Sequence, residues 1–348
     1  MYVRYAIFLR WRCDLLKMPK LDIIIPHYKE DENLMRPMFD ILKLQRNVLF
    51  TDFRVLIVLD GEDIMLSDDF QKYLKECPFV VTWINVPHGG ISAARNAGLD
   101  HSTAEWIMWC DSDDALLSTT SLQTFFRFAQ QDKALVASAF FEEAPSLEDG
   151  HMMLLWHSGN DYIFVHGKMF RREWLVDNRV RFNNNLELHE DAYCIAMARY
   201  LLRKEDIVFV KDPLYLWQYN KKSVSRSYDN FVLKTYDKLC KKNSALADEL
   251  LRRGMFVPAK GIICRTITDA YCRLHSKSWN TPENKEYIQD AEDCVALFLK
   301  KYDYIFKAAT DVVINAGLYQ LRDQMVERNE FNVETTVPFE EWVDSLRK

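Results

Sequence analysis

In the stretch Trp106-Ile107-Met108-Trp109-Cys110-Asp111-Ser112-Asp113-Asp114, a short apolar run of strand type passes directly into three carboxylates within one turn. A buried strand that delivers acids to its own carboxyl end is a common way for an open α/β sheet to build a ligand site, because ligands bind in the crevice beyond the strand ends. Carboxylates this close repel one another unless a cation, a basic side chain or water relieves them. Hard oxygen donors suit magnesium, manganese or calcium. Taken alone, an Asp-x-Asp tripeptide is equally well a polar loop whose aspartates cap the helix suggested by Ser118 to Phe128.

The segments upstream place this run in a sheet. Leu21 to Pro26 is a β-branched run stopped by proline, Phe53 to Leu59 a second apolar run ending at Asp60-Gly61, and Val80 to Val86 a third. Continuous apolar runs of this length read as parallel strands buried on both faces. Between them, Asp31 to Leu44 has helical spacing with Pro37 in its first turn, and Phe70 to Glu76 reads as a second helix. The alternation is that of a doubly wound α/β sheet, which the Trp106 strand continues. Before that strand, His88-Gly89-Gly90 leads into Ile91 to Leu99, a helix start carrying Arg95 and Asn96. Such a start suits an anion through its free N–H groups and dipole. A tight turn into a packing helix explains the glycines and alanines equally well, but gives no reason for Arg95.

At 348 residues, with 49% hydrophobic and 28% charged residues, the chain is composed like a soluble globular protein able to bury a sizeable core. A net charge of −6 and a pI near 5.8 give no overall electrostatic footprint for nucleic acid. The eight cysteines form no Cys-x-x-Cys pair and read as reduced thiols of a cytoplasmic protein. No apolar run reaches the roughly 18 to 20 residues that span a bilayer. Residues 1–19 form a basic, amphipathic extension with Arg4, Arg10, Arg12 and Lys17 among apolar side chains. It suits docking on the domain, a start at Met18, or peripheral contact with an anionic membrane.

Four segments in this order resemble the family 2 glycosyltransferases, whose GT-A fold is a Rossmann-like, mostly parallel sheet flanked by helices. They are Leu21 to Lys29, Val55 to Glu62, Gly89 to Leu99 and Trp109 to Asp114. The likeness continues through Val165 to Arg172, Leu188-His189-Glu190-Asp191 and Pro213 to Arg226, so it covers residues 20–228 as one catalytic domain. It implies a nucleotide diphosphate sugar donor, most readily UDP-linked, contacted by Pro26, Tyr28, Glu30, Asp60, Gly90, Arg95, Asp111, Ser112 and Lys168. It further implies Mn2+ or Mg2+ on Asp113 and Asp111, and Asp191 as the base that deprotonates an acceptor hydroxyl, oriented by Glu190 and His189. The acceptor would be a glycan, a lipid-linked sugar or a protein, and one displacement with one base gives inversion. Two departures stand out: Leu59 replaces the first of two acids that end the second strand, and His27-Tyr28 stands where a threonine or serine often precedes the aromatic residue.

Read without the resemblance, Leu188 to Asp191 is an acidic helix start that complements the dipole of Ala192 to Leu202. Lys168, Arg171 and Arg172 hold phosphate or coat a surface helix, and His151, His157 and His166 read as structural residues outside the metal site. Two other functions fit parts of the pattern. A sugar nucleotidyltransferase would carry a glycine-rich basic signature after the first strand, where Pro26 to Glu30 has none. A non-catalytic nucleotide-sugar-binding scaffold would have no need of both Asp113 and Asp191. From residue 229 to 348 the periodicity is helical: Val232 to Gly254, Ile262 to Leu274, Tyr287 to Tyr302 and Thr310 to Arg328 carry apolar stripes. This all-α region shows no chemical motif and is suited to shaping an acceptor site or forming a homo-oligomer.

Overall fold

The computed structural model describes residues 18–146, 150–223, 231–276, 279–309, 313–318, 321 and 337–348. The N-terminal extension as far as Lys17, the serine/arginine loop after Ser223 and most of the helix expected over residues 310–328 lie outside them. The described chain divides into two compact units. The first runs through Asn185 and takes in Glu190–Asn220; the second comprises Leu186–His189 and Lys221–Lys348.

The first unit begins with β1 (Leu21–His27), α1 (Arg36–Lys43), β2 (Phe53–Asp60), α2 (Asp68–Lys75), β3 (Val80–Val86), α3 (Gly90–His101) and β4 (Trp106–Trp109). The four strands are parallel, in the order β3-β2-β1-β4. A 3-10 turn over Glu32–Met35 precedes α1, so the first part of the helix expected from Asp31 is wound more tightly, and Pro37 occupies the first α-helical turn. Alternate side chains feed two cores. Ile23, Ile25, Val55 and Ile57 pack with Phe39 and Phe70 on one face, while Ile24, Leu56 and Val58 pack with Ala94 and Leu99 on the other. The second layer needs Gly98, because a Cβ there would lie 2.3 Å from Ile24 Cγ2. Helix α3 therefore sits on the Ile24 and Val58 side chains with none of its own at Gly98.

Beyond β4 the sheet ceases to be parallel. β5 (Ala115–Leu116), α4 (Ser121–Ala129), β6 (Leu135–Pro145), β7 (Met152–His157), β8 (Lys168–Arg171), α5 (Arg172–Asp177), α6 (Glu190–Leu201) and β9 (Ile207–Trp217) complete the unit. The full order is β3-β2-β1-β4-β8-β6-β9-β5, with β7 beside β6. The links from β6 to β7 and on to β8 are too short for a helical crossover, so β8 runs antiparallel to both β4 and β6. The result is a mixed sheet flanked by helices, of GT-A type.

In the second unit, α7 (Phe231–Lys234), α8 (Tyr236–Arg252), α9 (Phe256–Leu274), α10 (Lys285–Lys307) and α11 (Phe339–Leu346) bury one apolar cluster that includes Ile263, Ile267, Val295, Leu299 and Trp342. Gly254, at φ 73°, ends α8 in the left-handed conformation that favours glycine after a helix. Among the described residues no helix is long and apolar enough to cross a membrane. All seven described cysteines are unpaired and six are buried.

Candidate active site

Trp106 to Trp109 are buried because β4 lies between β1 and β8. The indole of Trp109 donates to the Arg95 carbonyl at 3.2 Å, and Cys110 N–H donates to the Ile24 carbonyl at 3.0 Å. The chain then turns, with Asp114 N–H donating to the Asp111 carbonyl at 3.2 Å. The three acids emerge into different surroundings. Asp114 is fully buried and accepts from the Tyr215 hydroxyl at 2.7 Å and from Gln218 N–H at 3.1 Å. Asp113 is partly exposed and accepts from the Asn220 amide at 2.8 Å. Asp111 accepts from Arg95 Nη2 at 2.5 Å and lies 3.5 Å from His166 Nε2. Ser112, between the first two acids, is partly exposed.

Burial sorts the acids further. It pushes the Asp114 carboxyl well up, reinforced by the charges of Asp111 and Asp113 and offset in part by the Tyr215 and Gln218 hydrogen bonds. Asp113 is raised as well, by burial, with the Asn220 hydrogen bond offsetting part of the effect. Burial acts the same way on Asp111, but Arg95 and then His166 outweigh it and hold that carboxyl well below its usual range. The carboxyl held lowest is thus the one beside the guanidinium.

Arg95 is the link in the arrangement. At 2% exposure it is among the most buried cations of the chain, and its Nη1 donates to Glu190 Oε1 at 2.8 Å while Nη2 holds Asp111. The counter-charge to the diphosphate expected at Arg95 stands here between two protein carboxylates. Its guanidinium is covered and already divided between two carboxylates, so it ties β4 to the start of α6. Asp191, next along α6, accepts from Ala192 N–H at 2.6 Å. Burial, and then the charge of Glu190, push its carboxyl up to about 7. His189 belongs to the second unit; it turns the chain at φ 63°, and burial followed by the charge of Lys242 lowers its imidazole to about 4.

At the ends of β1 to β3, Asp60 is 4% exposed, and its oxygens accept from Gly89 N–H at 2.8 Å and Gly90 N–H at 2.9 Å. His88 Nδ1 lies 2.9 Å from the same carboxylate. This differs from an acid pointing at a base: Asp60 anchors the glycine turn, and the Gly90 N–H expected to meet an anion is already bonded to it. Gly90 is at φ 80° with open space around a Cβ, so its backbone conformation, rather than close packing, calls for glycine. Pro26 is buried within β1. Tyr28 stacks on His88 with centroids 4.4 Å apart, and its N–H donates to exposed Glu30 at 2.9 Å. His88, more than half exposed, is a residue that the sequence reading missed.

Lys168 also differs from expectation. It lies on a strand instead of a surface helix, is fully buried, and donates to Asp161 at 2.6 Å. Burial lowers its ammonium below the ordinary value despite that partner. No phosphate-facing side chain is offered there. His166, read from sequence as structural, instead stands between Asp111 and Asp114 at 3.5 Å from each.

The ligand atoms of Asp111, Asp114 and His166 lie within 4.8 Å of one another. This set differs from the expected Asp113 and Asp111, since Asp113 is turned toward Asn220. Carboxylate and imidazole donors fit a divalent cation of the magnesium or manganese type. Of the three acids, Asp114 is least fitted to reach outward, because both its oxygens are occupied by protein donors. Asp111 and partly exposed Asp113 are the carboxylates open to a ligand.

The chain is similar to several known proteins. EpsH of Bacillus subtilis is 24% identical over 252 residues, covering 67% of this chain and 71% of EpsH. ExoW, a succinoglycan biosynthesis protein of Rhizobium meliloti, is 31% identical over 99 residues, which is 28% of this chain and 30% of ExoW. The poly(ribitol-phosphate) β-N-acetylglucosaminyltransferase TarS of Staphylococcus aureus is 24% identical over half of this chain, but the match spans only 31% of TarS. The fold is also that of TarS residues 1–349, solved with UDP-GlcNAc, at a TM-score of 0.59 and 15% identity over 92% of this chain and 98% of that one. The profile of glycosyl transferase family 2 matches residues 22–203, from the first strand through the helix that carries Glu190 and Asp191, and with more than half of its length so matched this chain belongs to that family.

Proposed function

We propose that the protein is an inverting transferase that moves a hexose or N-acetylhexosamine from a UDP-linked donor to a glycan hydroxyl. What supports this reading most is the Arg95 bridge, which binds the acid at the end of β4 to Glu190, beside a carboxyl raised to about 7. A base poised near neutral pH is suited to take a proton from an alcohol as it attacks. The UDP preference rests on TarS, which was solved with UDP-GlcNAc, and the glycan acceptor on what TarS and ExoW are named for.

The acceptor oxygen forms its bond to the anomeric carbon on the face opposite the diphosphate. The bond from that carbon to the diphosphate oxygen breaks, its electron pair leaves with UDP, and the acceptor proton passes to Asp191. A single displacement inverts the anomeric centre. Glu190, neutralised by Arg95, orients its neighbour. Asp111 and Asp113, with His166 beside Asp111, would hold Mn2+ or Mg2+, which when bound offsets the charge of the departing diphosphate. Tyr28 and His88 supply a ring surface at the nucleotide end, and Asp60 keeps the glycine turn in place beside it. The unpaired cysteines suit a reducing compartment, so we assign the reaction to the cytoplasm.

The test is calorimetric titration with UDP-, GDP- and dTDP-sugars, with and without manganese, in parallel with release of free nucleotide. Metal-dependent binding of a UDP-sugar with slow nucleotide release is expected. Failure of every donor to bind in either condition overturns the assignment.

A further inference from the structure

The most apolar exposed segment of the first unit belongs to β7 and has no part in the site described above. Met152, Met153, Leu154, Leu155 and Trp156 are consecutive, and each is between 39% and 56% exposed. Because neighbouring strand residues point to opposite faces, both faces of β7 are apolar and open. One edge of the strand pairs antiparallel with β6, from Pro145↔Met152 to Phe140↔His157. Among the described residues no strand pairs with the other edge. Sheet edges are ordinarily protected by charge, proline, a bulge or a covering element. Residues 152–156 contain no charged residue, no proline and no glycine.

We propose that β7 is the contact for a second copy of this chain, the two β7 strands pairing antiparallel about a twofold axis. Such a contact is self-complementary, as a twofold interface requires. With Leu154 of each copy opposite Leu154 of the other, Met153 meets Leu155 and Met152 meets Trp156. Apolar side chains then face apolar side chains on both sides of the new sheet, and the free N–H and C=O groups of both edges are paired. A lipid bilayer would cover the side chains but not those groups, which cannot be left unpaired in hydrocarbon. One strand edge per copy is a small contact beside the roughly 800 Å² per partner of a stable complex, so reversible association at micromolar concentration is expected.

The experiment is analytical ultracentrifugation of the full chain from about 1 to about 100 µM, a range set by that interface size. Leu154→Lys and Trp156→Lys are run alongside, with circular dichroism melts and donor binding as controls on folding. A spin label at Leu154 reports the distance between copies. Expected are a wild-type mass that rises toward the dimer with concentration, a short distance between labels, and association weakened about tenfold or more by either lysine with the melt unchanged. A wild type that stays monomeric throughout overturns the proposal, as does a dimer indifferent to both substitutions. So does a monomer that floats with phosphatidylglycerol vesicles and loses this binding in Leu154→Lys, which would assign β7 to a membrane. If a variant fails to fold, the label distance in a Leu154→Cys chain still decides.

Discussion

The two units differ less in their apolar cores than in the other groups they bury. The α/β unit encloses Asp22, Asp60, Arg95, Asp114, His166, Lys168 and Glu190 at 8% exposure or less, whereas the buried polar residues described in the helical unit are threonines, a serine and an asparagine, none of them charged. Burying a charge is costly unless it is paired, and even paired it seldom stabilises more than an apolar replacement would. One unit therefore holds itself together as an ordinary helical core does, and the other buries charges, most of which gather at the candidate site. Lys168, paired with Asp161, and Asp22 are exceptions within the α/β unit. Gripped by Arg54 at 2.9 and 2.7 Å at the start of β1, far along the strand from the acids of β4, Asp22 belongs to a structural pair.

The sharpest way to break this contrast is Arg95→Met. It leaves Asp111 and Glu190 without their shared cation, so a loss of about 3–5 kcal/mol in chemical denaturation is expected, together with loss of donor binding. Retention of both would mean that the bridge is incidental. In the helical unit, Ile267→Ala removes a fully buried side chain and should cost about 2–5 kcal/mol through the cavity it leaves, with donor affinity of the folded protein unchanged.

A smaller effect concerns pH. The Asp191 carboxyl is raised from its ordinary 3.8 to about 7, so between these values the unfolded chain has released a proton that the folded chain still holds. Stability from this group is full below about pH 4 and is lost as pH climbs through 7. For the metal-free protein, Asp191→Asn should remove that loss, and its melting temperature should gain on wild type from pH 5 to pH 8. A constant difference across that range would contradict the raised value. Least affected should be Lys301→Ala, which breaks a half-exposed pair with Asp248 and should shift stability by less than about 1 kcal/mol.

Much of the α/β unit was legible because its strands are continuous apolar runs and its acids follow directly on β4. The helix beginning at Glu190 was legible for the same kind of reason: local spacing and a charged first turn. What escaped were features that depend on residues far apart in the chain. Lys168 sits in a strand of four residues, too short for its periodicity to declare itself, and its burial depends on Asp161 and on strands to either side. Asp60 meets Gly89 and Gly90 some 30 residues away, so nothing local revealed that its carboxylate would be used to hold the turn. Arg95 stands out in the sequence, but as a contact to the donor rather than a link between acids. Its two carboxylate partners come from β4 and α6, and only the folded sheet brings them together. His166 was set aside as a lone histidine because its neighbours, Asp111 and Asp114, precede it by more than 50 residues.

The most direct test of the central claim, that the acid beside the Arg95 bridge is the base of a sugar transfer, is the steady-state kinetics of Asp191→Asn with its donor affinity measured in parallel. The account predicts that turnover falls by about 10²- to 10⁴-fold, the usual contribution of a general base, while the donor dissociation constant stays close to that of wild type. It also predicts that wild-type turnover rises as pH passes through about 7. Turnover in the variant within a few-fold of wild type, with donor affinity intact, would contradict it and move the base to another residue.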